Sequence, residues 1–345
     1  MIPYLLFIII LLIAFGLRKP SVMVTIITLF SVFRFDTGWD YDSYYQAFTD
    51  SVVGNIAKMS WGPLWAWWID FIYDKSIPFI GIGVPAVLTS IFLYYSLKLL
   101  HEGHHKAICE SLLAYSVWPF LYLGSFCTVR QSLAMAIGLL IFALTYRKYY
   151  ILSIILYVLA YFIHPSSFIV IFFIPILLLK RNITLIQLLG LIISIVLLMG
   201  FLSSILTVLG LDNYIEYMSD SDSFGGKIVY IYAILSLFCL VVVKKSETEE
   251  NLFAKIFSLM ALGMILNFLI YITNIPSVLS RAVSYLMIFF SPGLFYGIRK
   301  ISKVSLVRRA IVSFFVLFFF LYLFVTQGSA GAVSQFVPYK TFLFE

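Results

Sequence analysis

Three arginines and a histidine stand where apolar runs of the sequence begin or end, and their chemistry suits a phosphate-bearing ligand. Arg34 ends one run, Arg130 and Arg281 begin two others, and His164 precedes a proline. An arginine at a helix N-terminus opposes the helix dipole, so its presence there favours a bound anion. Guanidinium groups hold phosphate oxygens through charge-assisted hydrogen bonds. The alternative for Arg130 is a side chain that reaches lipid phosphates, and the alternative for Arg34 is a solvated loop beside an interfacial aromatic belt.

His164 is the first candidate for a general base, because imidazole titrates near neutral pH. Asp40 is the second candidate, in a stretch rich in acidic and aromatic residues that follows Arg34. Asp40 is also placed to pair with Arg34, and His164 has a purely structural alternative. The sequence leaves both assignments open.

Aromatic side chains interleave with these charges. Tyr41 and Tyr44 follow Asp40, and Trp61 is the first of four tryptophans within eight residues. Aromatic faces stack on the apolar faces of sugar rings, so these three residues are candidate sugar-binding groups, together with Gln131. The alternative is an aromatic belt that anchors a helix at the membrane surface.

One motif suggests a different chemistry. Residues 101–105, His-Glu-Gly-His-His, match H-E-x-x-H, in which two histidines one helical turn apart bind zinc. The pattern needs a helix, which Gly103 weakens, and a third ligand, which the neighbouring sequence does not offer. We therefore expect a solvated loop, no metal site and no cofactor. Cys109, Cys127 and Cys239 lack paired spacing and are expected to be buried free thiols.

The composition decides the class of protein. Hydrophobic residues make up 62% of the 345 residues and charged ones 11%, which predicts an all-α polytopic membrane protein. There are about twelve apolar segments, and the whole chain (1–345) is expected to form one integral membrane domain. The segments are 2–17, 21–34, 79–99, 107–126, 129–146, 149–163, 165–179, 183–209, 227–243, 252–273, 282–298 and 309–326. The formal charge of +7 does not indicate nucleic-acid binding, because the basic residues cluster in short loops between these segments.

The charges also predict which loops face which side. Sixteen of the 23 Lys and Arg residues lie in one alternating set of loops, and 11 of the 16 acids in the other. The positive-inside rule then places both termini outside the cytoplasm, with a retained first span. Arg34, Arg130, His164 and Arg281 fall on the same outer face. That face also has a long first loop (36–78), expected to carry an interfacial aromatic helix, and an acidic loop (210–226) that resembles a lid.

The order of these motifs resembles a known family. Arg34 with Gly38-Trp-Asp40-Tyr41 and Tyr44, then Val129-Arg130-Gln131-Ser132, then His164-Pro-Ser-Ser167 are similar to motifs of the EpsG/Wzy-type bacterial polysaccharide polymerases. Arg34, Asp40, Arg130 and His164 fall on the family's motif positions. Arg281 matches no such motif, so its role rests on topology alone.

The resemblance implies an enzyme that joins oligosaccharide repeat units carried on undecaprenyl pyrophosphate, at the outer face of the bacterial cytoplasmic (inner) membrane. Products of this class are O-antigen, capsule or exopolysaccharide. The resemblance also implies a GT-C-like fold, with no nucleotide sugar and no obligatory metal. Membrane lipids, flippase proteins and chain-length regulators are the implied partners.

Two alternatives remain. A flippase or exporter of the same lipid-linked sugar would also use arginines, but along a path across the membrane. The predicted spans have few charges at their centres, which favours chemistry at one surface. A membrane acyltransferase would need a histidine with access to a cytoplasmic acyl donor, and the predicted sidedness of His164 disfavours it.

Overall fold

The computed structural model describes residues 1–38, 40–200, 228–273, 277–327 and 336–341. The chain divides into two compact units, which we call unit 1 (residues 1–170 and 304–345) and unit 2 (residues 171–303). The all-α prediction is confirmed, because the part of the chain that the structure describes is helical apart from one two-stranded ribbon. The single-domain assignment stays a prediction.

The helices follow one another closely along the chain. Unit 1 contains α1 (Ile2–Gly16), α2 (Pro20–Val32), α3 (Tyr41–Thr49), α4 (Ser51–Trp61), α5 (Pro63–Lys75), α6 (Pro78–Leu100), α7 (His105–Val117), α8 (Pro119–Tyr122), α9 (Gly124–Cys127), α10 (Val129–Tyr146) and α11 (Tyr150–Ile163). A 3₁₀ helix (Pro165–Phe173) then leads to α12 (Ile174–Leu178), α13 (Leu185–Gly200), α14 (Ile228–Ser246), α15 (Leu252–Thr273), α16 (Ser277–Met287) and α17 (Phe290–Ile301). Helix α18 (Ser305–Gln327) belongs to unit 1, as do the strands β1 (Arg34–Phe35) and β2 (Lys340–Thr341).

The described helices include several that can cross a membrane. Five are long and apolar enough by themselves, and two bent helix pairs raise the number to seven if each pair is one span. Five further apolar helices are shorter. The chain is therefore a multi-pass membrane protein, whereas the count of twelve spans, the GT-C-like fold and the placement of the termini stay predictions.

Helix α10 lies at the centre of unit 1. From Val129 to Thr145 every residue except Arg130 is buried, and both α6 and α11 pack against this helix. A helix that is apolar on all sides is stable only when neighbouring helices surround it. This packing holds the N-terminus of α10, with Arg130 and Gln131, in a fixed position.

The predicted first loop contains three helices rather than one. Helices α3, α4 and α5 share an apolar core that rests on the beginnings of α6 and α10. Asp50 caps α4 by accepting hydrogen bonds from the backbone N–H groups of Val52 (2.7 Å) and Val53 (3.2 Å). Gly62, with φ of +93°, makes the turn into α5. These helices form a small folded layer of their own beside the apolar helices.

Unit 2 is organised around the packing of α15 against α14, α16 and α17. Buried Asn182 accepts a hydrogen bond from Ser258 Oγ (3.0 Å). Glu249 accepts from the Tyr296 hydroxyl (2.6 Å) and pairs with Lys300. The Glu249 contacts tie the loop before α15 to α17, whereas the Asn182 contact joins the segment before α13 to α15.

Candidate functional site

Arg130 lies at the N-terminus of α10 against aromatic rings of the first loop. Its guanidinium carbon is 4.5 Å from the centre of the Trp61 ring, and Nη1 donates to the Trp61 carbonyl (3.2 Å). The Arg130 backbone N–H is 3.5 Å from the hydroxyl of Tyr44, whose ring centre is 4.9 Å from that of Trp61. These contacts bring Tyr44, Trp61 and Arg130 together, whereas their roles in binding stay predictions.

The charge of Arg130 lacks a carboxylate counterion in the part of the chain that the structure describes. Within the described ranges no carboxylate forms an ion pair with it, and its buried Nε atom has no hydrogen-bond partner. A guanidinium held by one carbonyl and one ring keeps donors for an anionic ligand. This arrangement fits the predicted phosphate-binding role.

Arg34 is buried more completely, with 1% of its surface exposed. Nη1 donates to the Ser31 carbonyl (2.6 Å), and the guanidinium lies 4.8 Å from the centre of the Phe126 ring. Its Nε and Nη2 atoms are buried and lack partners, and no carboxylate in the described part of the chain pairs with it. The pairing with Asp40 that the sequence left open is therefore absent.

The tyrosines near Arg34 do not neutralise it. Burial raises the pKa of Tyr41 and of Tyr339, so both hydroxyls stay uncharged. Burial also lowers the pKa of Arg34 from its usual value, although a guanidinium stays protonated at physiological pH. A buried, uncompensated charge is costly unless a partner is bound. Among the described residues, Arg34 has two buried guanidinium nitrogens without a hydrogen-bond partner, and Arg130 has one.

A strap from the C-terminal part of the chain pairs over Arg34, and no sequence pattern predicted it. The strap comprises residues 336–341, and its strand β2 pairs with β1 so that Arg34 faces Thr341 and Phe35 faces Lys340. The Tyr339 ring stacks on Phe30 with centres 4.1 Å apart. Lys340 pairs with Asp36, and the Tyr4 hydroxyl donates to the Phe336 carbonyl (2.5 Å). Such pairing between distant residues has no local sequence pattern.

Gly38 brings the first loop into close contact with the segment that precedes Arg130. Its φ is +110°, and a Cβ atom at this position would lie 2.7 Å from the Phe126 carbonyl oxygen. Phe126 is the ring below Arg34, and the same segment continues through Val129 into Arg130. The two unsatisfied arginines therefore flank one short segment of backbone.

Substituting Gly38 tests this contact. We expect Gly38→Ala to lower the free energy of unfolding by about 1–3 kcal/mol, because it adds both a strained φ and a clash. The measurement is the thermal melting of purified protein in detergent. Gly103→Ala is the matched control, since Gly103 also has positive φ (+77°) but no atom within 4 Å of its added Cβ. Equal losses in the two variants would contradict a specific contact at Gly38.

His164 caps the C-terminal end of α11, and Phe162 of the same helix approaches the α4–α5 turn. Its Nδ1 atom is 2.6 Å from Ser166 Oγ, which fixes the orientation of the ring. The carbonyl oxygen of Phe162 is 3.5 Å from the position a Cβ on Gly62 would occupy. Gly62 follows Trp61, whose carbonyl accepts from Arg130, so the end of α11 and Arg130 both lie near this turn.

The remaining predicted site residues are placed as follows. Asp40 is exposed at the start of α3, whereas Tyr41, Tyr44 and Gln131 are buried. Arg281 is exposed on α16 of unit 2, so its role still rests on the sequence. The predicted lid loop 210–226 lies outside the described residues. Roles in sugar binding and catalysis stay predictions for all of them.

The H-E-x-x-H motif does not lie on one helix. Helix α6 ends at Leu100 and α7 begins at His105, with a turn between them. His101 Nε2 is 2.7 Å from Ser111 Oγ, and Glu102 pairs with Arg147 (3.0 Å). No group of three or more potential metal ligands occurs among the described residues. All three cysteines are free and buried, as predicted.

Comparison with known proteins identifies the family. Residues 20–341, nearly the whole chain, match the EpsG family. No curated protein and no solved structure matches the chain. The family match covers every segment of the site described above.

Proposed function

This chain belongs to the EpsG family, and we propose that it polymerises oligosaccharide repeat units carried on undecaprenyl pyrophosphate. The family indicates a polysaccharide polymerase in general, in a multi-pass membrane protein. The observation that carries this proposal is the pair of arginines, Arg34 and Arg130, which flank one segment and have no carboxylate partner among the described residues. A pyrophosphate supplies the negative charge that both guanidinium groups lack.

The reaction is a glycosyl transfer. A hydroxyl of the acceptor repeat unit attacks the anomeric carbon of the donor glycan, and a new C–O bond forms there. The bond between that carbon and the pyrophosphate oxygen breaks, and its electron pair leaves with the lipid pyrophosphate. The hydroxyl proton passes to a base, which is His164 or Asp40, and we prefer His164 because Ser166 orients its ring.

The arginines act on the leaving group. Lipid pyrophosphate is already anionic, so it needs electrostatic stabilisation more than protonation. Arg130 is partly accessible and makes the first contact, whereas Arg34 joins only after the strap over it has moved. Arg281 is a further candidate pyrophosphate ligand on the sequence argument alone. Tyr41, Tyr44, Trp61 and Gln131 are the candidate sugar contacts.

The location follows from the same proposal. Lipid-linked repeat units are polymerised at the outer face of the bacterial inner membrane, so the first-loop helices and both termini lie on that side. The product is an O-antigen, a capsule or an exopolysaccharide, and a flippase and a chain-length regulator are its partners in the pathway.

A polymerisation assay tests the function. Purified protein is incubated with a lipid-linked repeat unit and no nucleotide sugar, and the products are separated on a gel. We expect a ladder spaced by one repeat unit, and no ladder from a His164→Ala variant that accumulates normally. Unchanged substrate would contradict the proposal, and movement of that substrate across vesicle membranes would identify a flippase instead.

A further inference from the structure

An apolar groove opens in unit 1 near Trp61, the tryptophan that contacts Arg130. It lies among α5, α6, α10 and α11 and has a volume of about 230 Å³. All its lining side chains are aliphatic or aromatic, and they include Trp65, Leu88, Leu133 and Ile163. A half-open cavity of this composition suits the hydrocarbon part of a ligand.

Arg130 lies close to residues that line the groove. Trp65 lies with its ring centre 6.3 Å from that of Trp61, the ring under the Arg130 guanidinium. Leu133 is three residues after Arg130 on α10, so both lie on neighbouring positions of one helix face. Ile163 directly precedes His164. An amphiphile with its phosphate on Arg130 would thus place its first chain carbons in the groove.

We infer that this groove binds the isoprenoid units of the substrate that are nearest to the pyrophosphate. The inference rests on the proposed function and adds to it the position of the lipid chain. A cavity of about 150 Å³ holds one benzene ring, so the groove has room for about one or two five-carbon units. The remainder of the chain extends into the bilayer. Holding the first isoprenoid units in the groove fixes the orientation of the bond between the anomeric carbon and the pyrophosphate oxygen.

Photolabelling tests the inference without requiring polymerisation. The probe is a sugar-free polyprenyl pyrophosphate with a diazirine in its first isoprene units, added to full-length protein in lipid nanodiscs. We expect the label on residues of α5, α6, α10 and α11 that line the groove. Unlabelled polyprenyl pyrophosphate should compete, and phosphatidylglycerol should not. Label outside the groove, or equal competition by phosphatidylglycerol, would overturn the inference in favour of a general lipid contact.

Filling the groove gives a second test. Leu88→Trp places a larger side chain in the groove, where it should displace part of the probe's chain. We expect labelling to fall about ten-fold, the change in affinity that follows when about two CH₂ groups of the probe lose their burial. Ile91→Trp is the control, because Ile91 is exposed on the same helix and does not line the groove. Equal labelling of both variants would refute the site. If labelling depends on Leu88 but the protein forms no ladder, the polymerase function is contradicted and the lipid-binding site is supported.

Discussion

Arg130→Ala is expected to reduce the rate of polymer formation about 10²–10³-fold, the usual effect of removing one preorganised charge from an active site. The structure gives the reason, since Arg130 makes no ion pair with the described carboxylates and holds its guanidinium between the ring and the carbonyl of Trp61. The measurement is the initial rate of ladder formation, normalised to the amount of folded protein. Arg130→Lys keeps the charge but loses the planar fork, so it should retain only part of the activity.

Arg147 provides a matched control. It also lies near an aromatic ring, with its guanidinium 5.7 Å from the centre of Tyr146, and it also donates to a backbone carbonyl, that of Leu99 (2.7 Å). Unlike Arg130, it pairs with a carboxylate, Glu102. Arg147→Ala should therefore leave the rate per folded protein unchanged. A similar loss of rate in both variants would show that Arg130 only supports the fold.

The sequence predicted long uninterrupted helices well and bent helices poorly. The segments predicted over 129–146 and 252–273 have the bounds of α10 and α15, because turn residues flank each apolar run. The segment predicted over 107–126 is instead a pair of helical pieces bent by 79°. Hydropathy does not distinguish a straight run from a bent one, although Pro119 marks the bend.

For the candidate site, too, local features could be predicted from the sequence and long-range contacts could not. Local motifs identified Arg34 and Arg130, and topology assigned them to one face of the membrane. Their common segment depends on the close approach of Gly38 to Phe126, which no spacing rule predicts. The burial of Arg34 depends on β2, which lies about 300 residues later in the chain. The apolar groove likewise needs four helices and has no sequence motif.

Locking the strap should block the reaction reversibly. Phe35 and Lys340 face each other across the β1–β2 ribbon, so a Phe35→Cys/Lys340→Cys pair is placed to form a disulfide. With the bond formed, β2 stays paired over Arg34, and the guanidinium cannot reach a pyrophosphate. We expect the oxidised protein to lose about 10²-fold in polymerisation rate, as for the loss of one charge contact. Reduction with dithiothreitol should restore the rate.

Each single variant is the control for this experiment, because Phe35→Cys and Lys340→Cys remove the same side chains without forming the link. The native cysteines should not interfere, since all three are buried. Melting temperatures of the oxidised and reduced forms would show that the lock forms without unfolding. Full activity of the oxidised pair would mean that Arg34 stays covered during the reaction. In that case the Arg34 donors without partners would have a structural role, and Arg130 alone would bind pyrophosphate in unit 1.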